Sequence, residues 1–225
     1  MPSLMTPEGL ALDIAIDCLI IAGWAGRDES AVEHHIQELE ALGVARPSNV
    51  PCFYRVGRET LSTSETIQVL GADSSGEAEV IVLSDADGVH WVGVASDHTD
   101  RVIEAYSVPV SKQACPKPLA PLVWRLDDVE GHWDELELLS YAVNGGERTL
   151  YQQGKIASLR SFGDLASKFT GGYPRLPPKM AMLCGTLAAI GGIRPSDAFS
   201  IELVDHRLGR AIRHSYAIER LPVVS

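Results

Sequence analysis

Short, largely apolar runs separated by glycine, proline and aspartate dominate the chain, and runs with helical spacing are few. Ile14 to Ala22 reads as a buried strand leading into the glycine-rich turn Gly23-Trp24-Ala25-Gly26-Arg27-Asp28. Ser30 with Glu33 fits a capping box, and Ala31, Val32, Ile36, Leu39 and Leu42 then recur at helical spacing until Gly43. Thr66 to Leu70 is a short strand, expected to deliver the chain to the sheet that follows. The β-branched run ending at Leu83, the turn Asp85-Ala86-Asp87-Gly88 and the run from Val89 to Ala95 make a hairpin. Ser111 to Pro118 reads as an irregular, proline-marked loop. Tyr141 to Gly146 ends in an Asn-Gly turn with Thr149 to Gly154 returning, a second hairpin. Ser161 to Phe169 is a helix capped by Ser161 and stopped by Gly171-Gly172, and strands follow over Phe199–Val204 and Ala211–Ile218. Many strands, few helices and no βαβ rhythm predict a mixed α+β fold of mostly antiparallel strands.

Composition narrows the partners. The chain of 225 residues is 45% apolar and 22% charged, ordinary globular values, and long enough for a substantial core. A formal net charge of −11 and the absence of any basic run argue against nucleic acid. Cys18, Cys52, Cys115 and Cys184 are scattered and form no Cys-x-x-Cys pair, as expected of reduced thiols in a cytoplasmic protein. Leu10 to Trp24 is interrupted by Asp13 and Asp17 and lacks a basic flank, so neither a targeting nor a membrane segment is expected there.

The first hairpin carries the candidate chemistry. Glu77 and Glu79 lie two apart and share a strand face, and the hairpin brings Asp97 beside them. Clustered carboxylates repel unless a cation lies between them, and an all-oxygen set selects Mg²⁺ or Mn²⁺, with Ca²⁺ as a further candidate, over zinc or copper. The bland alternative is two glutamates on the wet face of an edge strand. On the first helix His35 falls in the apolar stripe with Glu38 three residues on, a pair able to fix one imidazole tautomer for base catalysis. The bland alternative there is a core histidine beside a solvated glutamate. Leu126 to Leu139 reads as a solvated acidic face.

Gly76-Glu77-Ala78-Glu79 followed by Ser96-Asp97-His98-Thr99-Asp100-Arg101 resembles the Glu-x-Glu and Asn-Asp-x-x-x-Arg motifs of the fumarylacetoacetate hydrolase superfamily. Further pieces follow in that superfamily's order: Gly23 through Glu38, Pro51 to Arg55, Val143-Asn144-Gly145, Gly185-Thr186-Leu187 and Leu208-Gly209. The superfamily's Asn-Tyr pair is missing, and Leu187 replaces its proline. The forms around Gly23 and Ser96 look like a bacterial branch of unknown function.

The resemblance implies a single domain over residues 1–225, with an N-terminal strand and lid-helix region (1–65) and a β-roll (66–225), commonly a homodimer. It implies Glu77, Glu79 and Asp97 as ligands of Mg²⁺ or Mn²⁺, with His35, Glu38 and Lys112 catalytic. Arg55, Arg101, Gly185 and Thr186 are then expected to bind a small anionic 2-oxo acid. Hydrolytic C–C cleavage of an acylpyruvate-like β-diketo acid through a metal-stabilised enolate is the activity it implies first. Decarboxylation, tautomerisation or hydration on the same site, and a non-catalytic anion- or metal-binding protein, stay open as alternatives.

Overall fold

The computed structural model describes residues 3–41 and 46–224; the side chains at positions 35, 38, 39 and 41 are outside that description. The N-terminal part contains β1 (Leu4–Met5), β2 (Ala11–Leu12), β3 (Cys18–Gly23), α1 (Glu29–Ala41), β4 (Cys52–Val56), β5 (Leu61–Ser62) and β6 (Thr66–Leu70). The middle contains β7 (Ser74–Ser75), β8 (Ala78–Ser84), β9 (His90–Ser96), β10 (Thr99–Asp100), α2 (Arg101–Tyr106), α3 (Val108–Ala114), β11 (Lys117–Pro118), β12 (Trp124–Arg125) and α4 (Leu126–Val129). The remainder is β13 (Glu137–Asn144), β14 (Glu147–Lys155), α5 (Phe162–Thr170), β15 (Met180–Thr186), β16 (Ala198–Asp205) and β17 (Arg210–Leu221).

Two sheets organise these strands. One runs β12-β9-β8-β15-β3-β4 and the other β14-β13-β16-β17-β6. Pairing is antiparallel except for β15 with β3, β17 with β6 and the short β11 with β5. One apolar core, with Val80, Val82, Val92 and Val94 facing Leu138, Phe199, Ile201 and Ile212, fills the space between the sheets. A second, with Leu19, Ile21, Ile81, Leu83 and Leu183, covers the other face of the six-stranded sheet. Its central strand β8 is therefore buried at all seven positions, whereas β6 and β17 alternate buried and exposed, as a sheet with one wet face does. The fold is α+β and mostly antiparallel. Among the described residues no helix is long and apolar enough to cross a membrane.

Several expected elements shift. The first strand begins only at Cys18, and α1 is capped by Asp28, whose Oδ1 accepts from the amides of Ser30 (3.0 Å) and Ala31 (3.1 Å), in place of the Ser30 box. The helix stop at Gly43 lies outside the described residues. Thr66–Leu70 joins the five-stranded sheet, not the one that carries Glu79. Ser111 to Pro118 is not an irregular loop: Pro109 opens the first turn of α3, which runs through Ser111 and Lys112, and Lys117 lies in a strand. The acidic residues from Asp127 to Glu135 are exposed, but Leu126, Val129, Trp133, Leu136 and Leu138 join the core and His132 is buried against Asp205 at 3.0 Å.

Candidate active site

The carboxylates gather at the open end of the β8–β9 hairpin. The strands pair from Ser84↔His90 to Ala78↔Ser96, and just beyond, the Asp97 amide donates to the Glu77 carbonyl at 2.9 Å. Alternation then puts Glu77, Glu79 and Asp97 on one face, with one carboxylate oxygen from each lying within 4.8 Å of the others. Glu79 and Asp97 are buried, and β8 is interior to its sheet, so the wet edge-strand alternative fails.

Each carboxylate is held differently. Glu79 Oε2 accepts from the Gly185 amide at 2.8 Å, an amide turned inward where the β15–β8 register breaks between Leu183 and Thr186. That turn needs glycine: φ is +96°, and a Cβ there would lie 2.6 Å from the Ala25 Cβ. Around the break, Gln152 from the other sheet accepts from the Ala78 amide (2.9 Å) and donates to Thr186 Oγ1 (2.8 Å) and the Leu187 carbonyl (2.6 Å). Glu77 pairs with Arg101 at 3.1 Å, and Arg101 also donates to Ser75 Oγ (2.8 Å) and Glu104 (2.7 Å). Asp97 Oδ2 accepts a hydrogen bond from Lys112, which lies 4.0 Å from Glu77 and 5.7 Å from the Tyr54 ring centroid. Lys117, with no exposed surface, sits 3.0 Å from Asp97 Oδ1 and donates to the His98 carbonyl at 2.6 Å.

Behind the cluster His98 lies between Ser74 Oγ (2.9 Å) and Tyr216 Oη (3.0 Å), and Tyr216 donates to Ser96 Oγ (2.8 Å), tying the hairpin end to β17. Burial, with Lys117 and Arg101 nearby, pushes the His98 pKa down to about 3, so the ring is neutral.

The three carboxylates titrate in opposite directions. Burial raises Glu79 well above its ordinary value, and the Asp97 charge adds to this. Burial also raises Glu77, against the pull of Arg101 and Lys112. Asp97 is equally buried, but Lys112 and Lys117 outweigh that and hold it at about 2. For Lys112, burial disfavours the ammonium, yet Asp97, Glu77 and Glu79 more than compensate and its pKa lies above the usual lysine value. Of the three, Glu79 is therefore the carboxylate whose neutral form is most favoured. Asp97 Oδ1 is buried, with the Lys117 ammonium 3.0 Å away. Three carboxylate oxygens, one from each residue, within 4.8 Å of one another are the all-oxygen donor set that suits a hard divalent cation.

The structure brings together Glu77, Glu79, Asp97, Arg101, Lys112, Gly185 and Thr186 from the sequence-derived set. Arg101 is bound to Glu77 and Glu104, the Gly185 amide to Glu79, and the Thr186 hydroxyl donates to the Ala78 carbonyl at 2.8 Å, so each positions the cluster. Arg55 is exposed, and alternation along β4 turns it away from the face on which Tyr54 meets Lys112. The side chains of His35 and Glu38 lie outside the described residues. Sequence reasoning passed over Lys117, Tyr54 and Gln152; Tyr54 is a phenol pushed up to about 12 by burial, with Trp24 Nε1 donating to it at 3.3 Å. A lysine inside Cys115-Pro116-Lys117-Pro118 looks like a loop residue, and only the pairing of β11 with Leu61 and Ser62 turns it inward.

A family model described as "Protein of unknown function (DUF2848)" matches residues 22–216. The chain belongs to the DUF2848 family. No curated protein matches the sequence. Solved structures match the DUF2848 chain as a fold. 2-Keto-3-deoxy-D-arabinonate dehydratase complexed with magnesium and 2,5-dioxopentanoate is 14% identical, with TM-score 0.65 over 93% of this chain and 75% of that one. An Oleispira antarctica protein provisionally named a fumarylacetoacetate isomerase/hydrolase is 16% identical, with TM-score 0.67 over 97% and 100%. The 5-carboxymethyl-2-hydroxymuconate delta-isomerase from Mycobacterium smegmatis is 17% identical, with TM-score 0.63 over 92% and 78%. This DUF2848 protein thus has the fumarylacetoacetate hydrolase-like fold that the sequence motifs led one to expect.

Proposed function

We propose that this protein is a divalent-metal-dependent enzyme acting on a small 2-oxo acid, with hydrolytic C–C cleavage of an acylpyruvate-like β-diketo acid as its reaction. The observation that carries the reading is the trio of partly buried Glu77 and buried Glu79 and Asp97, with ligand atoms within 4.8 Å of one another and Lys112 against it. Three clustered carboxylates, two of them buried and two raised toward their neutral forms, are costly to keep unless they serve a cation. Magnesium in a structural neighbour with 2,5-dioxopentanoate supports Mg²⁺ or Mn²⁺. When bound, the ion would supply Lewis-acid stabilisation of the negative charge that builds on a carbonyl oxygen as the adjacent bond breaks.

The protein's own groups do the rest. Arg101 and the Gly185 amide hold Glu77 and Glu79 in place. Lys112, kept protonated by the carboxylates around it, presents a fixed positive charge to the substrate's anionic group and acts as an electrostatic stabiliser or proton donor, not a base. His35 oriented by Glu38 would activate the water that attacks the second carbonyl, a role that rests on the sequence pattern. Decarboxylation, tautomerisation or hydration would use the same carboxylates and Lys112 without that water; the dehydratase and isomerase names among the structural neighbours favour keeping them as the second reading.

A panel of acylpyruvates and oxaloacetate, assayed with Mg²⁺ or Mn²⁺ and again with chelator, tests the proposal. Metal-dependent turnover that Glu77→Gln removes is the expected result. Turnover that survives chelation and Glu77→Gln would overturn it. Pyruvate release with a carboxylic acid co-product marks hydrolysis, and CO₂ release or isomerised substrate marks the second reading.

A further inference from the structure

Lys117 has no part in the chemistry above, yet burying an ammonium costs free energy that some partner must offset. Among the described residues only Lys112 and Lys117 are buried lysines, and Lys117 exposes no surface at all. It cannot swing out: its backbone is paired with Leu61 in the parallel β5–β11 ladder. Its Nζ donates to the His98 carbonyl at 2.6 Å and lies 3.0 Å from Asp97 Oδ1, while Lys112 occupies Oδ2. Asp97 therefore faces two ammonium groups where one would balance its charge.

We propose that Lys117 is a built-in counter-ion, a positioning residue that balances and holds the Asp97 carboxylate before any divalent cation arrives and that weakens the binding of that cation. The first half stands on the Lys117–Asp97 geometry alone, and the second rests on the metal reading given above. Two positive charges a few ångströms apart in a water-poor site repel strongly, so a lysine fixed on one ligand's oxygen opposes the ion that would share that ligand. Lys112 still holds Asp97 when Lys117 is neutralised, so losing the repulsion outweighs losing one of two anchors.

Thermal melts of metal-free wild type, Lys117→Met, Asp97→Asn and the double variant test the first half. The double variant should melt above Asp97→Asn, because removing Lys117 as well leaves one buried ammonium facing the amide instead of two, so Lys117→Met should be less costly in the Asp97→Asn background than in wild type. Additive losses would overturn the counter-ion role, since a lysine that merely fills space has no reason to be rescued by Asp97→Asn. Should Lys117→Met fail to fold alone, Lys117→Gln, which keeps a donor for the His98 carbonyl, takes its place in the same comparison. Calorimetric titration with Mn²⁺ tests the second half: Lys117→Gln should bind at least about tenfold tighter than wild type, given the strength of such charge pairs at short range. Equal or weaker affinity would overturn that half. A wild type that binds no Mn²⁺ would overturn the metal reading itself and this half with it, while the melts still decide the first.

Discussion

Two hairpins of this protein, β13–β14 and β8–β9, are built from the same signals and put to opposite uses. β13–β14 closes through Gly145 and Gly146, both at positive φ, and its strands alternate between core and solvent, as in β13, with charges such as Glu147 outside. β8–β9 closes through Asp85 to Gly88 and is buried along β8 on both faces, and its open end carries Glu77, Glu79 and Asp97 with Arg101, Lys112 and Lys117. The first arrangement needs no explanation beyond burial of apolar surface. In the second, apolar strands flank charges that a stable fold alone would have left outside, so the placement of those charges points to chemistry.

Substitutions should sharpen that contrast, beginning with the largest effect. Asp97→Asn leaves two buried lysines facing an amide and should cost about 3–5 kcal/mol of metal-free stability, read by denaturant unfolding. Glu147→Gln on the other hairpin should stay within about 0.5 kcal/mol. Glu79→Gln separates function from stability inside the cluster. Because burial already makes Glu79 favour its neutral form, the metal-free variant should be at least as stable as wild type, yet should lose roughly a hundredfold or more in Mn²⁺ affinity with the loss of one charged ligand. A large fall in metal-free stability would break the assignment of Glu79 as the proton-bearing carboxylate.

Gly185→Ala meets both a φ of +96° and the Ala25 Cβ, and should cost about 1–3 kcal/mol. Gly145→Asn, at φ +56° with open space around it, should cost less than about 1 kcal/mol because asparagine tolerates the left-handed region. The remaining effect is in pH. Glu79 is raised in the folded protein, so its contribution is fully present below the ordinary glutamate value of 4.5 and is lost as pH rises through its folded value. Metal-free stability should therefore decline by up to about 1.4 kcal/mol per pH unit in that window, while Mn²⁺ binding tightens as the proton it displaces becomes easier to remove. Asp97, lowered to about 2, works in the other direction and is lost only on strong acidification. Stability curves at several pH values check both signs.

Local chemistry was legible in the sequence wherever one residue type forces one conformation. Gly145-Gly146, the Ser161 cap that accepts from the Asp164 amide at 3.3 Å and the αL stop at Gly171 all stand as read. Glu77, Glu79 and Asp97 were legible because a hairpin with known turn and alternation fixes which residues share a face. What long-range packing decides was not. Nothing local tells that Thr66–Leu70 crosses to the second sheet, or that Gln152 reaches from that sheet to mend the broken β8–β15 register. That Arg101 pairs with Glu77 and the Gly185 amide with Glu79 was not legible either, because both types suit any anion and only the packing selects these two. Lys117 was hidden by its prolines, which look like loop chemistry and in fact stiffen an edge strand.

The central claim is that the buried carboxylates form an open, chelating divalent-metal site. Its most direct test is calorimetric titration of metal-stripped protein with Mn²⁺, with and without oxalate as a mimic of a 2-oxo acid enolate. Binding of one Mn²⁺ per chain that tightens when oxalate is present is the result this account predicts. Absence of Mn²⁺ and Mg²⁺ binding under both conditions would contradict it, leaving Lys112, Lys117 and Arg101 as the only cations the cluster serves.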